Sequence, residues 1–351
     1  DQPRSRGLGD VYKRQALSGS EKVNKENLPE VITAVKKENK AIVAPKRMRV
    51  TYTLTVDTNA VPAGKLVRCW LPYPRTDQAR QRDVKFISAS EPDYVLSPQE
   101  CRHSTLYMEK RAVQGEPTVF SETFEYTSCG EWHNLRAEDV LPYDTTTALY
   151  KEYTAEREKH IVFSPRLREL AAKLTAGETN PYLKAKRIFR WINDHFPWAS
   201  AREYSTIENI PEYVLDNRHG DCGQVSLLFI TLCRISGIPA HFQSGFMMHP
   251  RAWNLHDWAE VYFEGVGWVP VDQSFGIPAF ARNADEEYFF LGGIDSWRMI
   301  VNTDYGMPLV PEKKYPRSET VDFQRGEVEW EGGNLYFPQW SYHMDIDYLN
   351  Y

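Results

Sequence analysis

The sequence predicts an α+β protein in which an N-terminal antiparallel β-sandwich-like domain precedes a mixed domain of helices and strands. Three observations predict this class. Short runs of β-forming residues, separated by turn residues, fill positions 47–129. Amphipathic helical patterns occupy much of positions 164–235. Two further strand-like runs then meet at a glycine turn near residue 266.

Length and composition are typical of an ordinary globular protein. The chain has 351 residues, of which 42% are hydrophobic and 26% are charged. The net charge of −6 provides no basic surface for nucleic acid. No apolar run approaches the roughly 18 residues that a membrane span needs. Composition gives no indication of the oligomeric state.

The N-terminal residues 1–45 are predicted to be a disordered or surface arm. Residues 1–15 begin without Met and resemble a translated adapter or cloning remnant, so we expect the native start, with any secretion signal, to be missing from this chain. Residues 16–45 are rich in Lys, Glu and Asn around a short apolar patch. This pattern is typical of a mobile arm or of a short helix packed on the surface.

The β-domain is predicted over residues 46–130, with the remaining residues 131–351 forming the second domain. Its strands are indicated by alternating or β-rich runs at 48–56, 65–74, 83–90, 104–113 and 118–128. Their regular spacing is typical of an antiparallel sandwich. We expect this domain to have a structural or substrate-positioning role.

The second domain is predicted to begin with helices and to end with strands. Ser164-Pro165 and Asn180-Pro181 are helix-start signals, and each is followed by an apolar stripe of helical period. Strand-like runs also follow residue 272, up to the C-terminus. We expect these last strands to extend the sheet that carries the candidate site residues.

A helix beginning at Cys222 is the central element of the second domain. Asp221 is suited to cap its N-terminus, and Gly237 is suited to end it. Cys222 therefore falls in the first turn, where unpaired N–H groups and the helix dipole favour negative charge. The thiol is expected to ionise more easily than a free one and to act as a nucleophile.

Two further residues complete a catalytic arrangement. His256 and Asp272 lie in two consecutive strand-like runs joined by Gly265-Val266-Gly267. A hairpin of this length would bring the two side chains together near its open end. A Cys nucleophile, a His base and an Asp that orients the His form an activated-nucleophile triad. The alternative is a buried Cys, a hydrogen-bonded core His and a turn Asp.

The segments GDCGQVSLLFITLCRISGIPAHFQSG and HDWAEVYFEGVGWVPVDQSFG resemble the core of the transglutaminase-like superfamily. This resemblance implies a papain-like α/β fold and the catalytic residues Cys222, His256 and Asp272. It also implies a side chain that helps the Cys222 N–H to hold an oxyanion. Trp198 and Tyr204 are the upstream candidates, although spacing marks neither.

No cofactor or metal is expected for this chemistry. A metal site built from Cys222, His219 and His256 would lack a fourth ligand and would consume the nucleophile. The chain has no C-x-x-C motif, and one disulfide among Cys69, Cys101 and Cys129 is left open. Asp257 adjoins His256, but successive strand residues point to opposite faces, so we expect it to point away from the triad.

The predicted activity is thiol-dependent acyl transfer on a peptide or protein substrate. Water as acceptor would make the enzyme a peptidase or deamidase, and an amine would make it a transamidase. The apolar residues in and beside the loop before His256 could line a channel that excludes water; they are Phe246, Met247, Met248, Trp253 and Trp258. The polar residues of the same loop instead indicate an open, mobile segment. Hydrolysis is therefore favoured over cross-linking.

Two further expectations complete the interpretation. The alternative function is a non-catalytic interaction module that keeps the fold. Loss of Cys222, His256 or Asp272 would have indicated such a module. A β-domain before such a core, without an intracellular targeting feature, favours an extracytoplasmic location, either periplasmic or secreted.

Overall fold

The computed structural model describes residues 17–200 and 202–349. It is a mixed structure of helices and antiparallel sheets, as the sequence predicts. The prediction for residues 1–15 lies outside the described part of the chain. No helix within the described residues is both long and apolar enough to cross a membrane.

Fourteen strands are present in the described residues, and they form three sheets. The strands are β1 Ile42–Val56, β2 Leu66–Pro72, β3 Gln81–Ala89, β4 Tyr94–Leu96, β5 Thr105–Arg111, β6 Thr118–Trp132, β7 Ala240–Met247, β8 Asn254–Phe263, β9 Gly267–Val271, β10 Gly293–Ile294, β11 Arg298–Asn302, β12 Glu327–Trp330, β13 Gly333–Leu335 and β14 Trp340–Tyr348. The first sheet has the order β10-β6-β1-β14, and β3 also pairs with β6. The second has the order β13-β12-β2-β5-β4, and the third β11-β7-β8-β9.

Seven α-helices are present in the same described ranges. They are α1 Gly19–Glu38, α2 Ala148–Tyr153, α3 Pro165–Leu174, α4 Pro181–His195, α5 Ile210–Asn217, α6 Cys222–Ile235 and α7 Ala284–Glu287. The helix-start signals in the sequence are confirmed at two of them. Ser164 accepts a hydrogen bond from Leu167 N at the start of α3, and Asn180 accepts one from Leu183 N at the start of α4.

The N-terminal segment forms a longer element than a short surface helix. The 20-residue helix α1 is capped by Ser18, whose side chain accepts from Glu21 N. Leu28 and Val31 of this helix are fully buried and belong to the main apolar core. The segment from residue 17 is therefore packed into the fold, which corrects the prediction of a mobile arm.

Two apolar cores organise the chain. One lies between the first two sheets and includes Val50 and Leu54 of β1 together with Cys69 and Leu71 of β2. The other collects the helices against the third sheet and includes Leu228 of α6. Burial of these side chains is the main force that holds the helices on the sheet.

The C-terminal strands differ from the prediction. Strand β11 joins the sheet of His256 through β7, as expected. By contrast, β14 pairs with β1 from Met48–Tyr348 to Val56–Trp340, and β12 pairs with β2. The expectation that the last strands extend the sheet of His256 is therefore wrong. Strand pairing crosses the predicted boundary between residues 130 and 131, and the two-domain division stays a prediction.

Candidate active site

Cys222 is the first residue of α6, as the sequence predicts. Asp221 caps the helix by accepting from Gln224 N, and the Gln224 side chain accepts from Asp221 N in return. The remainder of the helix is buried in the core, whereas Cys222 itself is half-buried. The thiol is thus held at the point where the start of α6 meets β8.

His256 and Asp272 meet as the hairpin predicts. Strands β8 and β9 pair from Phe263–Gly267 to Ala259–Val271, which brings the ends of the two strands together. His256 Nε2 lies 2.8 Å from Asp272 Oδ2. Because that nitrogen is engaged, Nδ1 is the ring nitrogen left for a reacting group.

Asp272 is held by more partners than the sequence indicates. Arg298 Nη2 donates to Asp272 Oδ2 at 2.7 Å, and Phe275 N donates to Oδ1 at 3.0 Å. Arg298 also pairs with Asp295, and all three charged groups are buried. Sequence reasoning missed Arg298 because it lies on β11, at the opposite edge of the third sheet from β9, and only the tertiary fold brings its side chain to Asp272.

The thiol faces Asp257. Cys222 Sγ donates to Asp257 Oδ2 at 3.4 Å, and no hydrogen bond joins it to His256 in the described part of the chain. Asp257 and His256 do point to opposite faces of β8, but α6 packs on the face of Asp257. The expectation that Asp257 points away from the nucleophile is therefore wrong.

The alternation of β8 explains this arrangement. Ala259 and Val261, which are in phase with Asp257, are fully buried in the core that contains α6. His256 is in phase with Trp258, whose indole N–H donates to Gln243 Oε1 on the other face. Asp257 thus lies on the same face of β8 as the apolar residues that meet the helix.

The thiol is held in its neutral form by its surroundings. Desolvation raises the pKa of Cys222 well above its ordinary value, and the carboxylates of Asp257 and Asp221 raise it further. The Asp257 backbone N–H, which faces the sulfur, acts in the opposite direction. This direction is opposite to the one that the helix start alone predicts for this thiol.

At the His256–Asp272 pair the surroundings act in the opposite direction, because they stabilise the ionised carboxylate of Asp272. Burial lowers the pKa of His256, although Asp272 opposes that shift, so the ring is neutral at pH 7. Burial alone would raise the pKa of Asp272, but His256 and Arg298 outweigh it and lower this pKa to about 2. A neutral imidazole beside a fixed carboxylate can accept a proton from a reacting group.

A group of buried carboxyls, here called the acidic cluster, surrounds Asp257. It comprises Asp221, Asp257, Glu319 and Asp322. The Asp322 carboxyl lies within hydrogen-bond reach of Asp257, and desolvation raises the pKa of both groups well above the ordinary value. Gln324 Nε2 donates to Asp257 Oδ1 and to the His256 carbonyl, both at 2.8 Å. The loop before β12, which carries Gln324, therefore covers Asp257.

The two upstream oxyanion candidates have different positions. The Tyr204 hydroxyl is buried and donates to Asp221 Oδ1 at the cap of α6. Trp198 is 60% exposed and lies on the segment that bridges to Gly220. Gln224 is a third candidate that spacing did not mark, because its Nε2 is buried beside the cap without a protein partner. Its amide could donate to a substrate oxygen.

Among the other histidines near the site, His249 and His241 have local partners, whereas Nδ1 of His219 is buried without a hydrogen-bond partner among the described residues. His249 is fully buried and forms a hydrogen bond with Asp295. The loop before His256 was predicted to be open, and at this residue it is closed. His241 faces Glu260 at 2.9 Å. Within the described residues, no group of three or more His, Cys, Asp or Glu side chains could hold a metal ion. All five cysteines are free in the structure.

Comparison with known proteins identifies the central part of the chain. The model of the transglutaminase-like superfamily matches residues 168–273, which contain Cys222, His256 and Asp272. An uncharacterised Bacillus subtilis protein, YebA, is 26% identical over 140 residues, which are 34% of this chain and 19% of YebA. A protein-glutamine gamma-glutamyltransferase of Pseudomonas aeruginosa is 23% identical over 125 residues, 32% of this chain and 19% of that protein. The chain thus spans about a fifth of the length of each relative.

A solved structure shares the fold along most of the chain. A candidate cysteine protease from Cytophaga hutchinsonii superposes with a TM-score of 0.59 and 16% sequence identity. The alignment covers 88% of this chain and 93% of that protein. The arrangement of a helical layer with antiparallel sheets is therefore common to both proteins.

Proposed function

We propose that this chain, which carries a transglutaminase-like domain over residues 168–273, is a thiol-dependent acyl-transfer enzyme that acts on peptide or amide bonds. The observation that carries the proposal is a half-buried cysteine at a helix start, next to a strand whose His256 bonds to a buried carboxylate. Cys222, His256 and Asp272 are the proposed catalytic residues.

The proposed reaction has two steps through a covalent intermediate. Cys222 attacks the carbonyl carbon, the C–N bond breaks as the thiol proton passes to the leaving nitrogen, and a thioester is left on the enzyme. The N–H of Cys222 lies in the first helical turn, where no helix carbonyl accepts it, and it can stabilise the oxyanion. His256, held by Asp272, then takes a proton from the acyl acceptor, and the thioester breaks.

Hydrolysis is favoured over transamidation by what surrounds the thiol. A transamidase must keep water from the thioester until an amine arrives. The residues predicted to build apolar walls lie elsewhere: Phe246 and Met248 are fully buried in the core between the first two sheets, and Trp258 is on the face opposite α6. The groups beside Cys222 are polar, namely the carboxyls of Asp257 and Asp221 and the Tyr204 phenol, and not the apolar walls that such a channel needs.

The test offers the full chain a glutamine-containing peptide library with and without a labelled primary amine. We expect new peptide termini or released ammonia, at a rate that the amine does not reduce. Cys222→Ala should abolish the reaction, and trapping by mass spectrometry should find the acyl group on Cys222. Cys233, which is fully buried in α6, is the internal control and should carry none.

The alternatives predict different results. Label incorporation faster than hydrolysis would identify a transamidase. Absence of any acyl-enzyme with peptide, amide or ester substrates would favour the non-catalytic interaction module. The extracytoplasmic location stays a prediction from the sequence.

A further inference from the structure

The buried guanidinium of Arg298 lies next to the proposed triad and has no part in the reaction as written above. We propose that Arg298 is a positioning residue: its charge takes the place of a second proton on the Asp272–His256 pair and so leaves Nδ1 of the ring free as the base. Arg298 acts through the carboxylates that it joins and not on the substrate. The inference deepens the proposed function and rests on it.

The contacts of the guanidinium are the first argument. Arg298 Nη2 donates to Asp272 Oδ2 at 2.7 Å and to Asp295 Oδ2 at 2.6 Å, and Arg298 Nε donates to Asp295 at 2.9 Å. His256 Nε2 lies 2.8 Å from the same Asp272 Oδ2. A guanidinium can only donate, so this oxygen must accept from it. One ionised carboxylate oxygen therefore joins Arg298 to the ring of His256.

The surroundings hold the guanidinium in place. Arg298 is 1% exposed, and its Cζ lies 5.2 Å from the centre of the Trp258 ring and 5.4 Å from that of Phe275. On its far side, Asp295 lies 3.0 Å from His249 Nε2. Buried charges are costly without a partner, so Arg298 must stay paired with both carboxylates. Its position relative to Asp272 is therefore defined.

The number of protons on the pair is the second argument. A buried carboxylate that lacks a cation takes up a proton, because desolvation favours the neutral form. Without Arg298, the Asp272–His256 pair would hold two protons at neutral pH, either as carboxylate and imidazolium or as carboxylic acid and neutral ring bonded through Nε2. In both forms Nδ1 carries a proton and cannot accept one. With Arg298 the pair needs only the proton on Nε2, and Nδ1 is free.

The charges that face His256 act in the direction of this argument. Burial lowers the pKa of His256 and Asp272 raises it, while Arg298 lowers it by more than Asp295 raises it. These charged groups come from the end of β9, from β11 and from the turn between β10 and β11. His249, in the loop before β8, reaches only Asp295 among them. Removal of Arg298 should therefore stabilise the imidazolium, and removal of Asp295 should destabilise it.

The first measurement uses the wild-type full chain with 15N-labelled histidines. Ring nitrogens with and without a proton give well-separated 15N signals, and His256→Gln assigns the signals by their loss. At pH 7 we expect His256 to carry its proton on Nε2 and none on Nδ1. A ring protonated on Nδ1 at this pH would overturn the inference, and the result requires no variant of Arg298 to fold.

The second measurement follows turnover of p-nitrophenyl acetate as the probe. Acylation of the thiol gives a burst of nitrophenolate, and the slower steady rate reports breakdown of the thioester, in which His256 is the proposed base. We would measure the steady rate from pH 5 to 9 for the wild type, Arg298→Met, Arg298→Lys and Asp295→Asn. Arg111→Met, which removes an arginine that faces a glutamate at a 68% exposed position, is the matched control.

The quantity compared is the pH at which the steady rate reaches half of its maximum on the acid side. We expect Arg298→Met to raise this midpoint by about 1 pH unit or more, because the pair then keeps its second proton to a higher pH. Arg298→Lys should keep the wild-type midpoint even where its rate is lower, since the charge remains. Asp295→Asn should lower the midpoint, and Arg111→Met should leave it unchanged.

Opposite shifts in Arg298→Met and Asp295→Asn separate this role from support of the fold, because loss of support lowers the rate equally at every pH. Unchanged midpoints in both variants would overturn the inference. If Arg298→Met does not fold, Asp295→Asn decides, and a midpoint that stays or rises would also overturn it.

Failure of the proposed function gives a different result. In that case the wild type turns over no peptide or amide in the library experiment. The 15N spectra of the wild type and of Asp295→Asn, recorded over the same pH range, still report where the proton of His256 lies and at which pH the ring gains a second one. The effect of the neighbouring charges on His256 is therefore measured whether or not the chain is an enzyme.

Discussion

At the scale of single residues, the site contains two groups of carboxyls with opposite electrostatics. Asp272 is ionised because Arg298 and His256 stabilise its charge more than burial opposes it. Burial instead raises the pKa of Asp257 and of Asp322 well above the ordinary value, and for Asp322 it outweighs the opposing charge of Arg325. His256 of β8 thus has a fixed anion beside it, Asp272 from the end of β9, whereas Cys222 has the Asp257 carboxyl of β8 beside it.

Glu319 makes a prediction about stability and pH. Desolvation raises its pKa from 4.5 to about 7, and the folded state therefore binds a proton more tightly than the unfolded state. The stability that this proton provides is complete below about pH 4.5 and is lost as the pH rises through about 7. A shift of this size corresponds to about 3 kcal/mol.

We expect Glu319→Gln to prevent most of the loss of folding stability that the wild type shows as the pH rises through about 7. The amide oxygen can still accept from Val321 N, as Glu319 does now, and it never ionises. Urea unfolding at pH 4.5 should give similar free energies for the wild type and the variant, whereas at pH 8 the variant should be more stable. Glu138→Gln, at a 67% exposed position, is the control and should change neither. Equal stability of all three proteins at pH 8 would contradict the prediction.

At the scale of elements, the start of α6 depends on a close approach of three segments. The N-cap Asp221 binds the Tyr204 hydroxyl of the upstream turn as well as Gln224 N. Asp257 of β8 lies over Gly223 on the same side of the helix. The helix therefore begins where a turn and a strand both contact its first residues, which fixes the position of the thiol.

Gly223→Ala tests this packing. Its Cβ would overlap the Tyr204 hydroxyl and Asp257 Oδ2, so these two side chains, or the segments that carry them, must move. We expect a loss of stability of about 1–3 kcal/mol, as for overpacking in other cores, and a slower reaction of Cys222 with p-nitrophenyl acetate. Thermal unfolding and the burst rate are the two measurements.

Ser226→Ala, one turn further along α6, is the control for that substitution. The Ser226 hydroxyl is buried without a partner, so its removal should be neutral or stabilising and should leave the burst unchanged. A Gly223→Ala protein with wild-type stability and burst rate would show that the three segments do not constrain one another.

At the scale of the whole molecule, the C-terminal strands tie the chain together. The longest of them, β14, covers nine residue pairs of β1, and β12 and β13 complete the sheet of β2. The sequence-based domain boundary would separate these strands from their partners. Unpaired backbone groups and exposed apolar faces would be the result.

A fragment of residues 131–351 should therefore not fold as an independent unit. We expect the fragment alone to unfold without a cooperative transition and to be cleaved rapidly by protease within residues 327–348. Addition of residues 17–130 in trans should restore protection, since it supplies β1 and β2. A fragment that unfolds cooperatively, with the midpoint of the full chain, would establish instead that the division at residue 130 is sufficient for folding.

Local signals explain which parts of the site could be predicted. Asp221 before an apolar stripe of helical period places Cys222 at a helix start, and the glycine turn between two strands places His256 beside Asp272. Each of these inferences needs only neighbours in sequence. The phase of Ala259 and Val261 places Asp257 on their face of β8, but Trp258 on the other face is fully buried as well, so this pattern does not select the face that meets α6.

The tertiary structure alone decided what contacts the thiol and which strands complete each sheet. Which face of β8 contacts the thiol depends on where α6 packs. The sequence alone allows a helix to pack on either face of a strand. Arg298, Asp322 and β14 are remote in sequence from their partners, and no periodicity encodes such pairing. The sequence by itself thus identified Cys222, His256 and Asp272 as the candidate catalytic residues. Packing determined which of them the thiol meets, because burial of apolar faces, and not local propensity, selects long-range contacts.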